Sequence, residues 1–250
     1  MITKTKLEEL AEKYETSDFI KDDPIQFPHR FEKPEDIEIS AFLSSIVAFG
    51  SRKAFIGKLD ELFKIMENKP LEFVLNFNPE SIKGFKYRIF KNSDLIEVFF
   101  ILNRLYSQYG GLKKLFEYGF KQDNTILTML KVVVDYFYLN VKHDVGRGFY
   151  NMIPNPKNKG SMKKMNLFLR WMVRKPPVDL GIWDFIPSSK LLIPLDVHVS
   201  RISREMGLLE RNVDDFKAVL ELTENLKKID PNDPVKFDFA IFGLGVNGEW

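Results

Sequence analysis

The segment Pro194-Leu195-Asp196-Val197-His198-Val199-Ser200-Arg201-Ile202 places a carboxylate at the start of an apolar-periodic run. An aspartate in this setting is a typical helix N-cap, whose side chain accepts hydrogen bonds from backbone N–H groups. The positive end of the helix dipole then keeps the carboxylate ionised and fixed in direction. Most capping aspartates only cap, but such a group is also suited to stabilise positive charge that develops during a reaction.

Two adjacent lysines precede this segment, in Gly160-Ser161-Met162-Lys163-Lys164-Met165-Asn166. Both stand in the predicted first turn of an apolar helix. A neutral lysine amine is a nucleophile that forms covalent Schiff bases. Partial burial against Met162 and Met165, together with repulsion between the two cations, would favour the neutral amine near pH 7. Taken alone, however, a lysine in this position is usually a solvated surface residue.

These segments resemble the helix-hairpin-helix (HhH-GPD) superfamily of DNA glycosylases. Leu195-Asp196-Val197-His198 is similar to the Val-Asp-Thr-His or Val-Asp-Val-His signature that carries the catalytic aspartate of that superfamily. Lys163 matches the lysine of bifunctional members, which stands where a glycine-rich hairpin enters a helix, and Asn166 matches a following Asn or Asp. The resemblance implies Lys163 as the nucleophile, Lys164 as the alternative nucleophile, and Asp196 as the electrostatic partner.

Two earlier segments occur in the same order as in the superfamily. Ile39–Leu59 resembles its apolar helix, polar turn and following helix, and Gly84–Arg88 with Tyr109–Leu112 resembles its Gly-x-x-x-Arg helix and Gly-Gly-Leu-like step. The landmarks together span Ile37–Gly207. Overall, including Phe239–Val246, the sequence is most similar to a bacterial family of conserved proteins of unknown function.

The sequence also departs from the superfamily pattern. The usual Leu-Pro-Gly-Val-Gly hairpin is replaced by Gly160-Ser161-Met162, and Lys175–Leu191 lengthens the separation between the lysine and the aspartate. The archaeal 8-oxoguanine glycosylase branch, with a widened spacing and a divergent hairpin, is the nearest comparison. It implies an oxidised purine as the damaged base.

A basic stretch, Lys157–Lys164, is the best local site for a polyanion, and backbone N–H groups of the following helix would add to it. The partner implied is damaged duplex DNA. The residues that we expect to contact it are Lys159, Gly160, Ser161, Lys164, His198, Arg201, Arg52 and Lys53.

Composition narrows the remaining possibilities. Thirty-seven Lys and Arg against thirty-five Asp and Glu leave a net charge of +2, so any DNA-binding face must come from local clustering. The absence of cysteine excludes disulfides, thiolate zinc sites and the iron–sulfur cluster that several such glycosylases carry. No histidine or carboxylate spacing indicates a metal site, and we expect no cofactor. No apolar run reaches the roughly 18 residues of a membrane span; we expect a cytoplasmic monomer.

Apolar residues recur with helical rather than strand periodicity along the whole sequence, which predicts an all-α protein. The resemblance refines this to a two-lobed glycosylase-like fold with a divergent hairpin. We expect one globular unit, with a central lobe over about residues 51–172 and a second lobe formed by about 1–50 and 173–250.

The leading hypothesis is a DNA-repair glycosylase that removes a damaged base, with or without a second activity as an AP lyase. The alternative is a non-enzymatic nucleic-acid-binding protein that kept the fold. It is favoured by the missing hairpin glycines and the near-neutral charge. A helical protein that acts on a nucleotide or a protein partner is a third hypothesis, because fold alone does not establish function.

Overall fold

The computed structural model describes residues 2–248, and within them no residue belongs to a β-strand apart from two isolated bridges. The prediction of an all-α protein is confirmed. The α-helices of these residues are α1 (Lys4–Tyr14), α2 (Ser17–Ile20), α3 (Pro34–Val47), α4 (Arg52–Ile65), α5 (Pro70–Leu75), α6 (Asn92–Gln108), α7 (Leu112–Phe120), α8 (Ile126–Leu139), α9 (Arg147–Met152), α10 (Lys163–Val173), α11 (Val197–Glu205), α12 (Phe216–Lys227) and α13 (Phe237–Asn247). None of these helices combines the length and apolar character that a membrane span requires.

The helices form two compact units. The central unit is Asp23–Asn155 and contains α3 to α9; the terminal unit joins the chain up to Asp22 with the chain from Pro156 and contains α1, α2 and α10 to α13. These boundaries differ from the expected ones near residues 50 and 172. Helix α3 packs against α5, α7 and α9 and so belongs to the central unit. Helix α10 is bound by ion pairs to Glu15 and Asp238 and so belongs to the terminal unit.

In the central unit, buried carboxylates of α6 hold the loop before α9. Asp94 accepts hydrogen bonds from the backbone N–H of Lys91 and Gly146, and Glu97 accepts one from Lys142. Both carboxylates are fully buried. These bonds satisfy backbone groups that the loop between α8 and α9 would otherwise leave without partners.

In the terminal unit, α13 is apolar on all sides and buried along most of its length. Two glycines let its neighbours approach closely. A Cβ atom on Gly243 would lie 2.4 Å from the ring of Tyr14 in α1, and one on Gly245 would lie 3.0 Å from Cβ of His198 in α11. The backbone of α13 therefore packs directly against both helices. Its C-terminal part lies beside the start of α11.

Candidate active site

Asp196 is the N-cap of α11. Its Oδ1 accepts hydrogen bonds from the backbone N–H groups of His198 and Val199, both at 2.9 Å. The side chain is only 10% exposed, whereas that of the next residue, Val197, is well exposed. The carboxylate is thus fixed in direction by the helix start that the sequence predicts, and its second oxygen, Oδ2, is available for another donor.

That donor is Lys163, in the first turn of α10. Its Nζ lies 3.1 Å from Oδ2 of Asp196, and its side chain is 40% exposed. Asp196 therefore receives two backbone N–H groups and one ammonium group, which together fix its orientation. The two residues that the sequence analysis pairs are brought together as a partly exposed ion pair.

Lys164 differs from its neighbour. Burial, and to a smaller extent the positive charge of Lys163, lowers the pKa of Lys164 to about 7. Both lysine side chains are partly exposed, but the lowered pKa expected for Lys163 is found at Lys164. The site therefore contains one lysine that is paired with the carboxylate and a second whose amine is neutral in a large fraction of molecules at pH 7.

The turn that leads into α10 has an unusual backbone. Lys159 and Met162 both have left-handed conformations, with φ of 60° and 54°, which glycine adopts more readily than other residues. The turn is held at three points: Phe216 N–H donates to Lys159 C=O, Ser161 Oγ donates to Leu195 C=O, and Asn166 Nδ2 donates to Ser161 C=O. These contacts impose the conformation that glycine would otherwise favour.

The residues expected to contact DNA fall into three groups. Lys159 and Gly160 are exposed in the turn before α10, next to the partly exposed Ser161 and Lys164. Arg52 and Lys53 begin α4 in the central unit.

The third group belongs to α11 and is engaged locally. The ring of His198 packs edge-on against Phe242, with centroids 6.2 Å apart. Arg201 pairs with Glu205 at 3.3 Å and donates a hydrogen bond to the carbonyl of Gly245. Both side chains therefore contribute to the local packing of α11.

Sequence reasoning missed a buried charge cluster behind the ion pair. Arg170 and Arg174 lie two and three turns after Lys163 along one face of α10 and are 2% and 5% exposed. Arg170 pairs with Asp179 and Asp238, and Arg174 pairs with Glu15, Asp179 and Asp233. The signal in the sequence was two arginines within the apolar run Phe168–Arg174.

The sequence model of a protein family described as "Protein of unknown function (DUF2400)" matches residues 23–247, so the chain belongs to that family. No curated protein and no solved structure matches the chain.

Proposed function

We propose that this member of the DUF2400 family is a DNA glycosylase with a two-lobed HhH-GPD-like fold, and that it also cleaves abasic sites as a lyase. The observation that carries the proposal is the 3.1 Å contact between Lys163 Nζ and Asp196 Oδ2. So short a distance between a nucleophilic side chain and a fixed carboxylate supports a site in which both act on one sugar carbon.

Asp196 would supply the electrostatic part of the reaction. Breaking an N-glycosidic bond builds positive charge on the sugar, and a carboxylate that is already oriented stabilises that charge without reorganising. The two N–H donors at the start of α11 hold Asp196 in this orientation. The base must first leave the duplex stack, since its glycosidic bond cannot be reached inside it.

Lys163 would supply the nucleophile. Its neutral amine forms a bond to C1′ of the deoxyribose while the bond to the base breaks, and the electron pair of that bond leaves with the base. The departing base takes up one proton of the amine; the C1′–O4′ bond then breaks as O4′ takes a proton from solvent, which leaves a protonated Schiff base between Lys163 and C1′. Removal of a C2′ proton from this adduct expels the 3′ phosphate, which is the lyase reaction. Lys164, with its lowered pKa, is the alternative nucleophile.

The substrate that we propose is a duplex with an oxidised purine, 8-oxoguanine first, on the resemblance to the archaeal branch. The exposed turn Lys157–Gly160 and the N-terminus of α10 would bind the phosphates beside the damaged base.

A second function is favoured by the same contact. A lysine that is paired with a carboxylate is protonated, and a protonated amine does not attack carbon. The alternative is therefore a protein that binds damaged duplex DNA without releasing a base.

Borohydride trapping distinguishes the glycosylase from the binding protein. A Schiff base on lysine is reduced to a stable covalent adduct, so the full-length protein is mixed with duplexes that carry 8-oxoguanine, other damaged bases or an abasic site. We expect an adduct and released base with at least one lesion. Retention of damaged duplexes with no adduct and no released base on any of them would favour the binding protein.

A further inference from the structure

Asp196 has a second carboxylate as its neighbour, Asp238 in the first turn of α13. Helices α11 and α13 pack side by side: the ring of His198 meets Phe242, and a Cβ atom on Gly245 would lie 3.2 Å from Ile202. Both carboxylates therefore stand at the N-terminal ends of two adjacent helices, and their charges interact.

The hydrogen bonds of the two carboxylates differ. Asp196 accepts from two backbone N–H groups and from Lys163. Asp238 is 4% exposed; its Oδ2 accepts from Arg170, whereas its Oδ1 is buried and accepts no hydrogen bond. Asp196 thus has three donors on its oxygens, whereas a buried oxygen without a donor favours the protonated form of Asp238.

The charge balance around Asp238 points the same way. Arg170 from α10 faces it, and Arg170 is shared with the fully buried Asp179. Arg174 continues the cluster to Glu15 of α1 and to Asp233. Four carboxylates thus share two guanidinium groups, while Asp196 adds a further negative charge from α11. A bound proton relieves this excess of negative charge in a buried setting.

We propose that Asp196 and Asp238 act as a coupled carboxyl pair, in which Asp238 is the member that holds a proton and the negative charge stays on Asp196, opposite Lys163. Asp238 is then a positioning residue that acts through Asp196. The role of Asp238 in catalysis rests on the proposed function, but its protonation does not. In support, burial raises the pKa of Asp238 to about 7; Arg170 lowers it, and Asp196 and Asp179 raise it.

Above that pKa, Asp238 would become a second negative charge beside Asp196, the partner of Lys163. A nearby anion favours the protonated amine, so formation of the lysine adduct would be held back as Asp238 ionises. Pairs of titratable groups whose surroundings favour opposite protonation states divide a task in this way.

Infrared spectroscopy of the folded protein tests the pair without any activity. We expect a carboxylic-acid carbonyl band that disappears as the pH rises through about 7, and that shifts on labelling aspartate with carbon-13. The band should be absent in Asp238→Asn. It should persist in Asp230→Asn, the control. Asp230 accepts from two backbone N–H groups and a lysine, as Asp196 does, and therefore does not contribute an acid band. If Asp238→Asn does not fold, the labelled wild type still decides, since the absence of an aspartic-acid band there overturns the pair.

The pH profile of borohydride trapping tests the link to Lys163. In Asp238→Asn we expect the rise of adduct formation with pH to move to lower pH by roughly one unit, and an unchanged profile would overturn the positioning role. If the wild type forms no adduct on any duplex, the proposed function fails, while the infrared band still decides whether Asp238 holds a proton.

Discussion

Lys163 and Asp196 belong to the first turn of α10 and the N-cap of α11, and their side chains meet at 3.1 Å. Asp230 and Lys236 form a similar arrangement elsewhere in the terminal unit, with the same two kinds of donor on the carboxylate. This second pair provides controls in which the same chemical change is made outside the candidate site.

Replacing Lys163 by glutamine removes the proposed nucleophile but keeps a flexible polar side chain. We expect no borohydride adduct from Lys163→Gln, whereas Lys164→Gln and the control Lys236→Gln should still be trapped. Adducts are counted by gel shift and the modified lysine is located by peptide mass. Loss of trapping in Lys164→Gln alone would instead assign the nucleophile to Lys164; trapping would then rise with pH through about 7, as its amine becomes neutral.

Replacing Asp196 by asparagine removes the charge but keeps an efficient N-cap. Base release in single turnovers should fall by about 10²–10³, the usual loss for an oriented electrostatic group. Thermal unfolding should change little, and duplex binding should be retained. Asp230→Asn is the control and should release base at the wild-type rate; an equal loss in both variants would show that the effect is not specific to Asp196.

Lys159 lies exposed in the turn before α10 and is the cation best placed to contact a phosphate. Lys159→Gln should weaken binding to all duplexes alike and reduce the slope of log K against log salt by about 1. Lys121→Gln, on an exposed lysine that pairs with Glu117 at 2.7 Å, is the control and should leave the slope unchanged. An unaltered slope in Lys159→Gln would remove this turn from the proposed DNA-binding surface.

Gly243 tests the packing of α13. Gly243→Ala would place Cβ 2.4 Å from the ring of Tyr14, and we expect the free energy of unfolding to fall by about 1–3 kcal/mol, as for other overpacked sites. Gly57→Ala is the control, because no atom lies within 4 Å of a Cβ at that helical position. It should raise stability by about 0.5–1 kcal/mol. Chemical denaturation measures both, and equal effects would contradict the close contact between α1 and α13.

The local parts of the candidate site could be predicted from sequence. A proline, an aspartate and an apolar-periodic run are sufficient to place Asp196 at a helix start, since capping depends on neighbouring residues. The helical character of α10 and α11 follows from the same periodicity.

The long-range parts could not be predicted. Asp238 pairs with Arg170 across 68 positions, and this pairing depends on how α10 and α13 pack. The left-handed backbone of Met162 is likewise imposed by tertiary contacts against its own preference. The sequence named Lys163 as the nucleophile, whereas the packing around the two lysines gives the lowered pKa to Lys164.

The contact between Tyr14 and Gly243 also affects the order in which the protein folds. The central unit is one continuous stretch, Asp23–Asn155, whereas the terminal unit needs α1 to meet α13. Closing so long a loop costs more chain entropy than pairing near neighbours, and it slows folding. During synthesis the central unit can fold before α13, with which α1 packs, has left the ribosome. We therefore expect the Lys163–Asp196 pair to form late in folding, after the central unit has already become resistant to proteases.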